Sequence, residues 1–120
     1  MQKTLNGCSW FMIMCSWEPD EDDIAVKRFE EVYKYLKVLN ADQELEKLKA
    51  SNPDDPRLDV DPDSFKAINL IGKRQFVMLG QAKSNRLQQH LALMIGLRSH
   101  IRVDVFPATL VHDLQKVMPT

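Results

Sequence analysis

The sequence predicts an α+β chain built on a four-stranded antiparallel sheet with its main helices on one face. Three observations lead there. Ile101-Arg102-Val103-Asp104-Val105-Phe106 alternates as a half-buried strand does. Ile24, Phe29, Val32, Tyr33, Leu36 and Leu39 fall on one helical stripe, with Lys27, Arg28, Glu30, Glu31, Lys34 and Lys37 mostly outside it. The run Trp10–Cys15 is apolar throughout. It is too short and too uniform for a surface helix, and reads as a strand buried on both faces and central in its sheet.

The length, 120 residues, suits one domain spanning 1–120. With 44% hydrophobic and 28% charged residues, the composition is that of a folded globule and excludes disordered, collagen-like and low-complexity classes.

The remaining elements follow in order. Pro19 ends the first strand, and the acids from Glu18 to Asp23 offer an N-cap and favourable charge to the helix that follows. Asn40-Ala41-Asp42 breaks that helix, and a second, short one runs through Leu45 and Leu48 to Ala50. Pro53, Pro56 and Pro62 then make 51–63 a loop. Phe65–Ile71 and Gln75–Gly80 are two apolar runs around Gly72-Lys73-Arg74, the pattern of a β-hairpin. A single helix from Asp63 to Gly80 is the competing reading, because β-branched residues are few. Ala82, Leu87, Leu91, Met94 and Ile95 recur at helical spacing, with Gly96 as a stop. Pro107 ends the fourth strand, and 108–118 form a last short helix carrying Leu110, Leu114 and Val117.

The resulting order, β-α-(short α)-β-β-α-β-α, matches the split β-α-β, or ferredoxin-like, arrangement with an extra short helix and a C-terminal helix. Right-handed crossovers make the first strand central and the fourth its edge neighbour.

Net charge is −1, unevenly spread: residues 41–63 carry three Lys/Arg against eight Asp/Glu, and 64–120 carry eight against two. The cations of the basic half are dispersed, with no run longer than Lys73-Arg74, which argues for a solvated surface over a nucleic-acid footprint. No apolar run is long enough to cross a bilayer. Met1–Gly7 lacks a signal peptide's apolar segment and cleavage site. Cys8 and Cys15, an odd number of residues apart in one strand-like segment, point to opposite faces and do not pair with each other. Two free thiols suit a reducing compartment, so a cytoplasmic location is expected.

Phe11-Met12-Ile13-Met14-Cys15-Ser16-Trp17, a proline, acids, then Phe29-Glu30-Glu31 resembles the opening of the dimeric α/β-barrel superfamily. The stretch from Gly72 to Ala82 is similar to the hairpin's return strand in small uncharacterised members, where a helix and a Val-rich strand ending in proline follow, as in Val103–Ala108. The resemblance covers 9–39 and 66–117, leaving 41–64 as an acidic helical and loop insertion. It implies a homodimer whose two sheets pack face to face around a cavity. Members include cofactor-free monooxygenases, haem-degrading enzymes, isomerases, cyclases and ligand-sensing domains, and fold does not decide among them.

Alternation nominates the lining of such a cavity. Ile101, Val103 and Val105 share the face toward the helices, so Arg102, Asp104 and Phe106 face away. Phe76 and Met78, and Ala67, Asn69 and Ile71, are expected to join them. The first strand adds either Trp10, Met12 and Met14 or Phe11, Ile13 and Cys15. Aromatic and Met surface with a few polar groups, Asn69, Arg102 and Asp104, is the inventory of a small-molecule pocket. Asn69 and Asp104 lie on opposite edge strands, three spacings or about 14 Å apart, and can meet only through a second subunit. The structural alternative is that Arg102 and Asp104 pair across a dimer interface.

No cofactor motif is present, and His90, His100 and His112 lack metal-ligand spacing. The resemblance offers His90 as an axial haem ligand, since that ligand comes from the helix after the third strand; its helical phase makes it a boundary residue instead. Asp59-x-Asp61-x-Asp63 opens like a calcium loop, but Ser64 and Leu70 stand where it needs Gly and an acid. The expected function is binding of an apolar or aromatic small molecule by a homodimer, with a cofactor-independent monooxygenase- or isomerase-like activity. The alternative is a non-catalytic structural or ligand-sensing dimer module.

Overall fold

A computed structural model describes residues 7–70 and 72–109. The expected C-terminal helix, with His112, lies outside the described residues beyond Thr109, as does Ile71.

The apolar run becomes β1 (Ser9–Ser16), and Pro19 opens a single 3₁₀ turn before α1 (Asp22–Leu36). The acids of that turn do not cap α1 through side chains. Asp22 instead accepts from the indole Nε1 of Trp17 at 2.8 Å and from Nε of Arg74 at 2.9 Å. Ala25, Val32, Leu36 and, past the helix, Leu39 bury the core stripe, whereas Tyr33, expected on it, is 69% exposed. α2 (Asp42–Ser51) follows, then two 3₁₀ turns led by Pro56 and Pro62.

The stretch 65–80 is a hairpin, not a helix: β2 (Lys66–Asn69) pairs antiparallel with β3 (Gln75–Ala82). Their connection is closed by Leu70 N–H donating to Gln75 O at 3.2 Å and Lys73 N–H to Leu70 O at 3.1 Å. Gly72 sits at φ +77°, a left-handed conformation that favours glycine. Ala82, read above as helical, ends β3. α3 (Arg86–Gly96) buries Leu87, Leu91 and Ile95 completely. β4 (Arg102–Ala108) continues through Pro107 instead of stopping there. It bonds only to β1, and an edge strand tolerates a proline on its solvent side.

The sheet is antiparallel in the order β2-β3-β1-β4, so β1 is interior and β4 is its edge neighbour. Phe11, Ile13 and Cys15 of β1 form one core with Met78 of β3 and the inward residues of α1 and α3. Among the described residues no helix is long and apolar enough to cross a membrane.

The acidic segment is fastened by its own carboxylates. Asp55 accepts from Arg57 Nε at 3.0 Å and Nη2 at 2.9 Å, while Arg57 Nη1 donates to Tyr35 O of α1 at 3.0 Å. The guanidinium lies 4.2 Å over the Tyr35 ring. Asp59 receives Arg86 Nε at 2.8 Å and the Ser84 hydroxyl, tying the loop to the start of α3. Val60 then bridges Ala82 beside β3. Ser64 Oγ accepts from Gln81 N–H at 2.8 Å, a side chain supplying the acceptor that a neighbouring strand would. Within the Asp59-x-Asp61-x-Asp63 repeat Asp59 makes these ties and Asp61 Oδ1 accepts from Asp63 N–H at 3.3 Å, and no three metal-ligating side chains converge among the described residues.

Candidate functional site

Directly paired residues on neighbouring strands share a face, so the register sorts the sheet. Met12 pairs with Leu79 and Phe106, Met14 with Val77 and Asp104, and Trp10 with Gln81 and Ala108. Ile68 pairs with Val77, which puts it on this face too. The opposite, helix-covered face carries Ile13 with Met78 and Val105, and Cys15 with Phe76 and Val103. Ala67 opposes Met78 and Asn69 opposes Phe76, so both also lie on the helix side.

The seven residues nominated from sequence therefore divide. Trp10, Arg102, Asp104 and Phe106 share the face away from the helices, where Arg102 and Phe106 are exposed but Trp10 is buried, and β1 adds the half-buried Met12 and Met14 to it. Asn69, Phe76 and Met78 lie on the other face, against the expectation of one shared cavity. The physical reason is phase: both alternating sets of β3 are apolar, and a shift of one residue turns every side chain over.

On the face away from the helices Arg102 Nε donates to Asp104 Oδ2 at 2.9 Å along one strand, so the two partner each other within the chain. Met12, Met14, Val77 and Leu79 stand outside the core cluster. Beneath them the Cys15 thiol is pushed up to about 12, first by burial and then by the charge of Asp104. It is a protonated, structural cysteine.

The helix layer covers its face unevenly. α3 packs over the β1–β4 side, where Val105 stays 40% exposed beside it, and a cleft remains between α1 and the β2–β3 hairpin. Phe29 of α1 stacks on Phe76 with ring centroids 4.5 Å apart, and Trp17 tilts against Phe29 at 5.3 Å. Asp22 fixes this wall by holding both the Trp17 indole and Arg74 of the hairpin turn. The Arg74 guanidinium, then the Trp17 N–H, keep the Asp22 carboxyl below its ordinary range. Behind the wall lies a cavity of about 250 Å³, floored by Val32, Leu36, Leu39, Phe65, Ala67 and Met78. Tyr33, Lys37 and Asn40 stand around it. An outer recess shares Phe29, Tyr33 and Phe76 and adds Val26, Glu30, Lys34 and Asn69. Gly80 allows the close packing at the inner end: a Cβ there would lie 3.1 Å from the Phe11 ring and 3.3 Å from that of Phe65.

Asn69, Phe76 and Met78 thus line one cleft, joined by Trp17, Phe29, Tyr33 and Phe65, which the sequence reading did not nominate. Their signal was present: Val26, Phe29 and Tyr33 form a second apolar stripe on α1, beside the buried Ala25, Val32 and Leu36.

His90 is exposed, its ring 4.8 Å from that of Tyr35, on the outer surface and away from the cleft. That placement does not suit an axial ligand inside a chamber. His100 is exposed near Glu21, Nδ1 to Oε1 being 3.2 Å.

Among the described residues the geometry is that of an α+β chain with one sheet face under its helices, one sheet face that no helix covers, and an aromatic cleft at the side of the helix layer. Set against known protein families, curated proteins and solved structures, the chain matches none.

Proposed function

We propose that the chain is a ferredoxin-like module that pairs as a homodimer through its open sheet face and binds an apolar or aromatic small molecule in the cleft between α1 and the β2–β3 hairpin. Read from the other edge, the strand order is β4-β1-β3-β2, the order of the split β-α-β arrangement. The cleft carries the reading: rings from three elements wall an open apolar cavity with few polar groups around it, the usual make-up of a ligand site. The open face supports the dimer. Met12, Met14, Val77 and Leu79, half-buried, and Ile68 and Phe106, exposed, are neighbours on this face outside the core and supply apolar surface for a second sheet.

Binding is favoured over catalysis. Arg102 and Asp104 satisfy each other, and Asp22, Asp55 and Asp59, whose carboxyls are held low, each answer to an arginine that fastens the fold. The cleft's lining among the described residues is mainly apolar and aromatic, which suits a carrier or sensor. The two free cysteines suit a reducing, cytoplasmic setting.

Two measurements test this. Sedimentation equilibrium is expected to give twice the 13.9 kDa chain mass, and Met14→Lys to give a folded single chain. A wild-type mass that stays at one chain across concentration removes the dimer. Titration with naphthalene-2-carboxamide, followed by NMR, is expected to shift Phe29, Tyr33 and Phe76. Shifts confined to Met12 and Met14 would move the ligand to the open face, and no shifts anywhere would remove the ligand role.

A further inference from the structure

The cations around the cleft are arranged asymmetrically. Among the described residues Lys37 is the only charged side chain lining the inner cavity. Lys34 stands at the outer recess, where Glu30 accompanies it. Both lysines also border the groove between α1 and α2, whose other charged residues are Lys47, Arg57 and a single acid, Glu44. Arg57 is already engaged by Asp55 at 2.9 Å, whereas neither Lys34 nor Lys37 is in an ion pair among the described residues. An apolar cavity therefore opens beside two available ammonium groups, with Glu30 at the outer recess and Glu44 in the groove between α1 and α2.

We propose that the cleft takes an amphipathic monoanion, an aryl or short-chain alkyl carboxylate, with its apolar body against Phe29, Phe65 and Phe76 and its carboxylate at Lys37, seconded by Lys34. The inference rests on the ligand-binding reading above and adds the class of ligand. Size sets one limit. A dry cavity of ~150 Å³ holds benzene, so about 250 Å³ admits one or two fused rings or a short chain. Charge sets the other. A cation at the edge of a low-dielectric site attracts a carboxylate more strongly than one in open water does. Glu30 repels an anion from the outer recess and leaves Lys37 as its seat.

The test compares naphthalene-2-carboxylate with naphthalene-2-carboxamide, the same ring without the charge, titrated into the full chain. The carboxylate is expected to bind about tenfold more tightly at low salt, with the preference shrinking as salt rises. Lys37→Gln, at an exposed position, is expected to bring the ratio of the two affinities to about one. Equal affinity of the two probes for the wild-type chain overturns the anion class while the cleft survives as a neutral site. A preference untouched by Lys37→Gln overturns the assignment of the carboxylate's seat. Failure of both probes to bind defeats the ligand-binding reading itself.

Discussion

Two faces of one sheet, built from alternate residues of the same strands, have opposite fates here. On β1, Phe11, Ile13 and Cys15 are sealed under α1 and α3, while Met12 and Met14, one residue away, stay outside the core. Both sets are apolar, so hydrophobicity alone does not separate them. What separates them is cover. The helices follow from chain connectivity and take one face, leaving the other to whatever is not part of the core. Cover is uneven within the helix face too: Leu87, Leu91 and Ile95 of α3 are completely buried, while α1 leaves a cleft against the hairpin.

The largest effect that probes this contrast is a matched pair on β1. Ile13 is fully buried, and Ile13→Ala is expected to cost about 3 kcal/mol through lost burial and a residual cavity. Met14→Ala, on the half-exposed face, is expected to cost about 1 kcal/mol or less in the dilute single chain. Denaturant midpoints at low protein concentration provide the comparison, and at high concentration a dimer would add to the Met14 loss. Equal losses in dilute solution would mean that the two faces are equally covered, and the distinction drawn here would collapse.

Next in size is the ion pair on the helix side. Asp55 is buried, and the hydrogen-bonding Arg57 guanidinium holds its carboxyl below the usual 3.8 despite the opposing effect of burial. The folded state therefore binds the proton less readily than the unfolded chain does. The stabilisation is complete above the unfolded value near pH 4 and is lost as pH falls through the lower folded value. Asp55→Asn is expected to destabilise the neutral-pH protein by about 2 kcal/mol, since Arg57 loses the partner that fixes it against Tyr35. The gap between wild type and variant should narrow below about pH 4. A gap that is constant down to about pH 2 would show that the carboxylate's charge is not what ties the acidic segment to α1.

How far these features could be read in advance depended on whether one periodicity was unambiguous. β1, α1, α3 and β4 were legible because each carries a single clear pattern, and Ile101, Val103 and Val105 fell on the helix side as alternation required. The hairpin was legible as a hairpin, but its phase was not. Phe76-Met78 and Val77-Leu79 are equally apolar, and only the register against β1 distinguishes them. The cleft was hidden for a related reason. Phe29 and Tyr33 sit at helical spacing with true core residues, and whether they meet solvent depends on what crosses β2. The ties of the acidic segment were out of reach because Arg57 finds its carbonyl on Tyr35, 22 residues earlier, and local pattern carries no information about such a partner.

The smallest expected effect lies on the open face and is the most sensitive to what covers it. Arg102 and Asp104 pair at 2.9 Å along one strand, with the arginine side chain 76% exposed. An exposed pair on one edge strand contributes about 0.5 kcal/mol or less, because water screens it and two side chains must be ordered to make it. Arg102→Gln is therefore expected to leave the dilute chain's denaturation midpoint nearly unchanged, with the small residue removed by 1 M salt. In a sheet-to-sheet dimer the same change would act differently, since water would be excluded and Asp104 left without its cation. A loss that is negligible in dilute solution but grows to about 2 kcal/mol or more with concentration would bring this pair inside the interface. A loss that stays small at every concentration would put it at the rim, with Met14 and Val77 nearer the centre of contact.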